Sequence, residues 1–181
     1  MEYLDVLDEN GKKTGDVKPR DQVHRDGNWH RTVIVWIMNS GKEVLLQKRS
    51  PAREKYPNMW HISVAGHILA GEASMATVIK EVKEELGLDL KAKDIKFLFT
   101  TCKSSTPKPN YTENEFSDVF LVEKDVDVGE IIMDTDEVVD AKFFKWEEYK
   151  NIVKEKNADF VIPEYASRLI EAIDSMNPTT S

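Results

Sequence analysis

The sequence predicts an α/β fold: one α/β/α sandwich around a mixed β-sheet, with residues 1–181 forming a single domain. Three observations carry this expectation. Residues 31–38, RTVIVWIM, are an unbroken β-branched apolar run of the kind buried on both faces of a sheet. Around residues 73–87 and 163–176 apolar side chains recur at helical spacing, with strand-like segments between them. A chain of 181 residues supports one full core and is short for two.

Taken in order, residues 3–8 alternate loosely, and Asn10-Gly11 signals a turn back into residues 14–17. Residues 1–30 are therefore expected to be an N-terminal hairpin extension at a sheet edge. The run 31–38 turns at Asn39-Ser40-Gly41-Lys42 and returns as residues 43–48, a second hairpin. Residues 49–59, with two prolines and several charges, must be a loop, and 60–65 a short strand. A helix follows, with Met75, Val78, Ile79, Val82 and Leu86 as its buried face. Next come a strand at 95–102, a polar loop at 103–112 long enough to be a mobile flap, and a strand at 115–122. Asp134-Thr135-Asp136-Glu137 reads as a solvated turn. The last elements are a strand at 141–146, a short helix at 146–154, and a C-terminal helix (161–176) starting near Pro163, with Ile162, Tyr165, Leu169, Ile170 and Ile173 buried. Residues 177–181 are expected to fray.

Composition excludes several classes of function. A net charge of −8 without a basic block argues against a nucleic-acid polymer as partner. No apolar run approaches the roughly 18 residues of a membrane span. The acidic start MEYLDVLDENG does not resemble a secretory leader, so no membrane partner and a cytoplasmic location are expected. Cys102 is the only cysteine, which rules out an internal disulfide and leaves an inert, partly buried thiol as the expectation.

The helix at 73–87 carries the chemistry. Glu81, Glu84 and Glu85 stand at i, i+3 and i+4, so three carboxylates share one patch. Like charges at that spacing disfavour a helix by roughly 0.2–0.5 kcal/mol per pair. A hard Mg2+ or Mn2+ would turn the repulsion into ligation. Alone, such a triplet is commonly a solvated face. Here it sits in a longer pattern: Gly66, Glu72 after five residues, then Lys80-Glu81-Val82-Lys83-Glu84-Glu85-Leu86-Gly87-Leu88 after seven. This stretch, 66–88, resembles the Nudix box, G-x5-E-x7-R-E-U-x-E-E-x-G-U with U apolar, except that Lys80 replaces Arg. The resemblance implies a Nudix-type sandwich whose loop–helix–loop binds divalent metal against a substrate diphosphate. Lys80 keeps the charge of the family Arg, which orients a neighbouring glutamate, but lacks its planar fork.

A second set of residues narrows the branch. His24 and His30 flank the entry to the 31–38 strand, His67 follows Gly66, and Glu113-Asn114-Glu115 closes the proline loop. With WHRTVIVWI, QKRS, SVAGH and DEV, they make residues 24–146 similar to the type I isopentenyl diphosphate isomerases of the same superfamily. That resemblance implies His24, His30, His67, Glu113 and Glu115 as metal ligands. Those isomerases carry a catalytic cysteine before the Gly-His pair, where this chain has Ala65. A methyl group shuttles no proton, so the chain looks most like the isomerase-like Nudix hydrolases.

The expected function is metal-dependent hydrolysis of a diphosphate linkage in a nucleoside diphosphate derivative or related X-diphosphate. The alternatives are an isomerase of isoprenoid diphosphates and a non-catalytic diphosphate sensor. Glu81, Glu84 and Glu85, with Gly66 by resemblance, are the expected Mg2+ or Mn2+ ligands. Glu84 or Glu115 is the candidate base, assisted by Lys80. Arg49, Arg53 and Lys55 are expected to clamp phosphate, and Glu72 to add an outer contact. Family resemblance adds a homodimer.

Overall fold

The computed structural model describes residues 1–133 and 136–176. One nine-stranded sheet contains β1 (Tyr3–Leu7), β2 (Lys13–Pro19), β3 (Trp29–Met38), β4 (Glu43–Arg49), β5 (Trp60–His61), β6 (Val64–His67), β7 (Ile95–Lys108), β8 (Tyr111–Glu123) and β9 (Val138–Lys145). The helices are α1 (Arg20–Asp26), α2 (Ser74–Leu86), α3 (Trp146–Glu155) and α4 (Ala166–Met176). The sheet is mixed because β3 runs parallel to β8, from Trp29↔Asn114 to Met38↔Glu123, and antiparallel to β6.

Alternation along β3 divides the core. Val33, Val35 and Ile37 pack with Val78, Val82 and Leu86 of α2. Trp36 and Met38 pack on the opposite face with Tyr149 and Ile152 of α3 and Leu169 and Ile173 of α4. Successive strand residues point to opposite faces, so one apolar run feeds both layers. Each fully buried aliphatic chain contributes about 1.5–3 kcal/mol. The expected α/β/α layering is what the chain adopts.

Several local expectations are corrected. The N-terminal hairpin forms as β1 and β2, but a helix, α1, follows within the same segment. Its single buried apolar residue, Val23, packs on Leu4 and Val6, and one contact gives no readable periodicity. The β3–β4 hairpin pairs only at Ile37↔Leu45 and Met38↔Val44, because β6 takes the same edge of β3 from Thr32 to Val35. β4 instead pairs along its length with β9. The strand expected at 60–65 breaks at Ser63. Its buried hydroxyl donates to the Leu45 carbonyl (2.6 Å) and accepts from Ile37 N–H (2.9 Å), replacing ladder bonds.

The flap expected at 103–112 is instead the continuation of β7 and the start of β8, joined at Pro109-Asn110. A register shift between Ser105 and Lys108 accommodates Pro107, which cannot donate to a ladder. Asn110 closes the turn with φ +59°. Met75 is 41% exposed, and Thr77 takes its place on the buried face of α2. Helix α4 starts at Ala166 rather than near Pro163, leaving Ile162 and Tyr165 ahead of it. Cys102 is exposed, because the far half of β7 extends beyond the helical layers. Asp134, Thr135 and residues 177–181 lie outside the described residues.

One polar knot fixes α2 to the sheet. Buried Asp118 on β8 accepts from Arg31 (2.8 Å), Thr100 (2.7 Å) and Ser74 in the first turn of α2 (2.5 Å). A buried carboxylate is tolerated when its oxygens are satisfied in this way.

Candidate active site

The carboxylate patch is built by a close approach of helix and strand. A Cβ placed on Gly66 of β6 would lie 2.3 Å from Cδ and 2.4 Å from Cγ of Glu81. Only glycine lets the Glu81 side chain lie against this backbone. Burial raises the Glu81 pKa; Lys80 opposes that, its Nζ lying 3.7 Å from Oε1, and Glu84 adds to it. One turn on, Glu85 is pushed up to about 8 by burial, then by Glu81 and Glu137, against a hydrogen bond from the buried Gln47 amide. Two acids this reluctant to ionise are suited to a divalent cation, which would stabilise both charges. Glu84 is exposed on the same helix. Glu72 accepts from Thr77 (3.3 Å) at the start of α2, so here it braces the helix.

The three histidines do come together: their ligand-type nitrogens lie within 4.8 Å of one another. His24 Nδ1 lies 3.0 Å from the Thr112 carbonyl and His30 Nδ1 3.2 Å from the Asn28 carbonyl. Those carbonyls require N–H at Nδ1 and so turn the Nε2 lone pairs inward. His24 Nε2 then accepts from His67 Nε2–H at 3.2 Å, and the fully buried His30 Nε2 has no hydrogen-bond partner among the described residues. Burial lowers the pKa of all three, His30 to about 4 and His67 to about 2, so they are neutral at pH 7. The inward lone pairs of His24 and His30, joined by that of His67 once its proton moves to Nδ1, suit a metal ion.

Glu113 and Glu115 project from β8 beside this cluster, but the structure treats them differently. Glu115 Oε1 lies 3.8 Å from His30 Nε2, and burial and then Glu113 raise its pKa. Burial would also raise that of Glu113, yet Lys103 and Lys55 outweigh it and hold the group at about 2. Lys55 donates to both Glu113 oxygens (3.2 and 2.9 Å), Ser105 to Oε2 (3.1 Å), and Lys103 also to Oε2.

Glu113, Glu115 and His67 line a cleft of about 770 Å³. Arg49, Arg53 and Lys55, the expected phosphate clamps, line it too, together with Arg20 and Lys108, which the sequence did not single out. Arg53 pairs with Glu137 (2.6 Å) and Lys108 with Glu54 (2.7 Å). Half-buried Arg49 donates from Nε to the Lys55 carbonyl (2.8 Å), its pKa lowered by burial and Arg53. Arg20 starts the unanticipated helix α1, and Lys108 lies in the segment read as a flap, so both were hidden by misread elements. Gln47 and Lys103 had no sequence signal; each matters only through the carboxylate it meets.

Ala65 is exposed on β6 between Val64 and Gly66. Cys102, opposite Phe116 on β7, is not among the residues that line the cleft.

A family model described as the NUDIX domain matches residues 28–165. The chain is 37% identical over 164 residues to Nudix hydrolase 3 of Arabidopsis thaliana, covering 88% of this chain but only 21% of that protein. It is 35% identical to an uncharacterized Nudix hydrolase of Listeria monocytogenes, over 82% of each chain. A weaker likeness, 25% identity over 84% of this chain and 81% of the other, joins it to isopentenyl-diphosphate Delta-isomerase of Salmonella heidelberg. Among solved structures, DR0079 from Deinococcus radiodurans superposes with a TM-score of 0.68 at 20% identity, covering 94% of this chain and 99% of that one.

Proposed function

The chain belongs to the Nudix family of hydrolases, and from that premise we propose that it cleaves a diphosphate linkage with Mg2+ or Mn2+, in a nucleoside diphosphate derivative or a related X-diphosphate. The observation that carries this reading is Glu81 seated on the bare backbone of Gly66, one turn from a Glu85 that resists ionisation. This arrangement has little use in a passive surface and a clear one in holding a cation.

Glu81, Glu84 and Glu85, with the Gly66 carbonyl, would hold that ion. Bound there, it would supply Lewis acidity toward the diphosphate and offset its charge. The chain's own groups do the rest. Arg49, Arg53, Lys55 and Arg20 bind phosphate oxygens along the cleft, exchanging carboxylate partners for phosphate where they have them. Glu115, in the cleft wall and with a raised pKa, is placed to take the proton of the attacking water; Glu84, exposed on α2, is the alternative base. Lys80 steadies Glu81 as the family Arg would, but through one point charge. Glu72 serves the site by bracing α2.

The histidine cluster with Glu115 is a second place for a cation. It supports an ancestry shared with the isomerases rather than their reaction: moving a double bond needs a proton donor where Ala65 presents a methyl. A pure sensor is disfavoured because the glutamates at 81, 84 and 85 are all retained. Location in the cytoplasm and homodimerisation remain part of the proposal; among the described residues no helix is long and apolar enough to cross a membrane. The test is a screen of nucleotide and isoprenoid diphosphates with Mg2+ or Mn2+, following phosphate release, beside Glu84→Gln. Metal-dependent release that Glu84→Gln reduces at least 100-fold is expected. Equal rates in excess EDTA would refute the proposal.

A further inference from the structure

Glu113 and Glu115 lie two residues apart on β8 and so share a face, with the histidine cluster beside them. A divalent ion bound there could draw on both carboxylates. In the structure only Glu115 faces a histidine nitrogen, at 3.8 Å, and no carboxylate joins the three-histidine set among the described residues. Glu113 is turned to another purpose. Its Oε2 receives Lys103 from β7, Lys55 at 2.9 Å from the loop after β4, and Ser105 at 3.1 Å. Two ammonium groups on one carboxylate exceed what neutrality requires.

We propose that Lys103 is a positioning residue that, together with Lys55, holds Glu113 out of the histidine cluster. A cation there is thereby limited to one carboxylate. The inference rests on reading that cluster as a cation site, and it concerns a residue with no role in the family pattern described above. Lys103 is the steadier of the two clamps. Its backbone is fixed opposite Glu115 in the β7–β8 ladder, whereas Lys55 rides on a loop and lines the cleft. When a substrate phosphate recruits Lys55, Lys103 remains on Glu113. The electrostatic consequence is specific: three neutral imidazoles and one carboxylate leave a bound dication with net positive charge, which favours an arriving diphosphate. A second carboxylate would cancel it.

The experiment titrates the purified full chain with Co2+, following visible absorption. Subtracting the same titration of His30→Ala isolates the histidine-held ion from any at the α2 glutamates. Lys103→Met should bind this ion about tenfold more tightly, the scale on which groups behind a metal ligand act, and Lys55→Met/Lys103→Met more tightly still. Lys103→Arg should match the parent. The gain should vanish in Lys103→Met/Glu113→Gln, because Glu113 must be the ligand released. An equal gain in that double variant would show only removal of a nearby charge and overturn the proposal, as would no gain in either methionine variant. If the parent shows no His30-dependent Co2+ binding, both this inference and the cation reading of the cluster fall, while the hydrolase assignment is judged separately by phosphate release. Lys103 has a half-exposed side chain (43%), so the variants should fold; unchanged near-ultraviolet dichroism checks this.

Discussion

Replacing Gly66 with alanine puts a methyl group where Glu81 now lies. The new carbon would stand 2.3 Å from Cδ, 2.4 Å from Cγ and 2.7 Å from Oε1 of that glutamate, so the side chain must leave. The backbone itself has no objection, since Gly66 is not in the left-handed region and pairs as a strand residue with Val33. Overpacking typically costs about 1–3 kcal/mol, and removing a strand glycine returns roughly 0.5–1 kcal/mol. The net loss of stability is then at most about 2.5 kcal/mol. For a chain of this size that lowers Tm by at most about 5–10 °C. The functional loss should be far larger, because Glu81 cannot be displaced and still face a cation with Glu85. Gly66→Ala is therefore expected to lose at least 100-fold in turnover at fixed Mn2+, with partial recovery as Mn2+ is raised. The assays are phosphate release across a metal titration and a thermal melt of the same protein. Near-parental turnover at the parental metal requirement would show that the Gly66–Glu81 contact is packing and not part of the site.

Three further outcomes follow from the same geometry. Isopentenyl diphosphate incubated with enzyme and Mg2+ should show no dimethylallyl isomer by proton NMR, since residue 65 is alanine and Cys102 does not line the cleft; isomer formed at an enzymatic rate would refute this. In metal-free protein, Glu85 binds its proton more tightly folded (about 8) than unfolded (4.5), so its contribution to stability is lost as pH rises through 8. The buried histidines act in the opposite sense but only below their unfolded value of 6.5, so between pH 6.5 and 8 stability should fall, and Glu85→Gln should flatten that slope in chemical denaturation. Asp118→Ala removes the acceptor of Ser74 and Thr100 and leaves Arg31 only the Gly11 carbonyl, and should cost about 3 kcal/mol, lowering Tm by about 6–12 °C; a melt within 2 °C of the parent (on the order of the scatter expected for a surface change) would refute the knot.

Much of this protein was legible in one dimension. The β-branched run of β3 announced a strand covered on both faces, because only burial on two sides rewards apolar residues at every position. The spacing of Glu81, Glu84 and Glu85 placed three carboxylates on one helical patch, because 3.6 residues per turn is a local property of the backbone. Gly66 was recognisable as part of a pattern. That it exists to admit Glu81 was not, since a contact between β6 and α2 has no local signature. Tertiary structure alone decided the pairing of β4 with β9, the extension of β7 and β8 through the expected flap, and the burial of Thr77 in place of Met75. It also decided that His24, on a helix too short to show a period, would meet His30 and His67 from two different strands. The division between Glu113 and Glu115 belongs to the same class. Two glutamates with the same neighbour in sequence differ because lysines from β7 and from a loop converge on one and a histidine of β3 faces the other. Periodicity is written along the chain and survives in any context; charge partners are supplied across space and exist only once the sheet has closed.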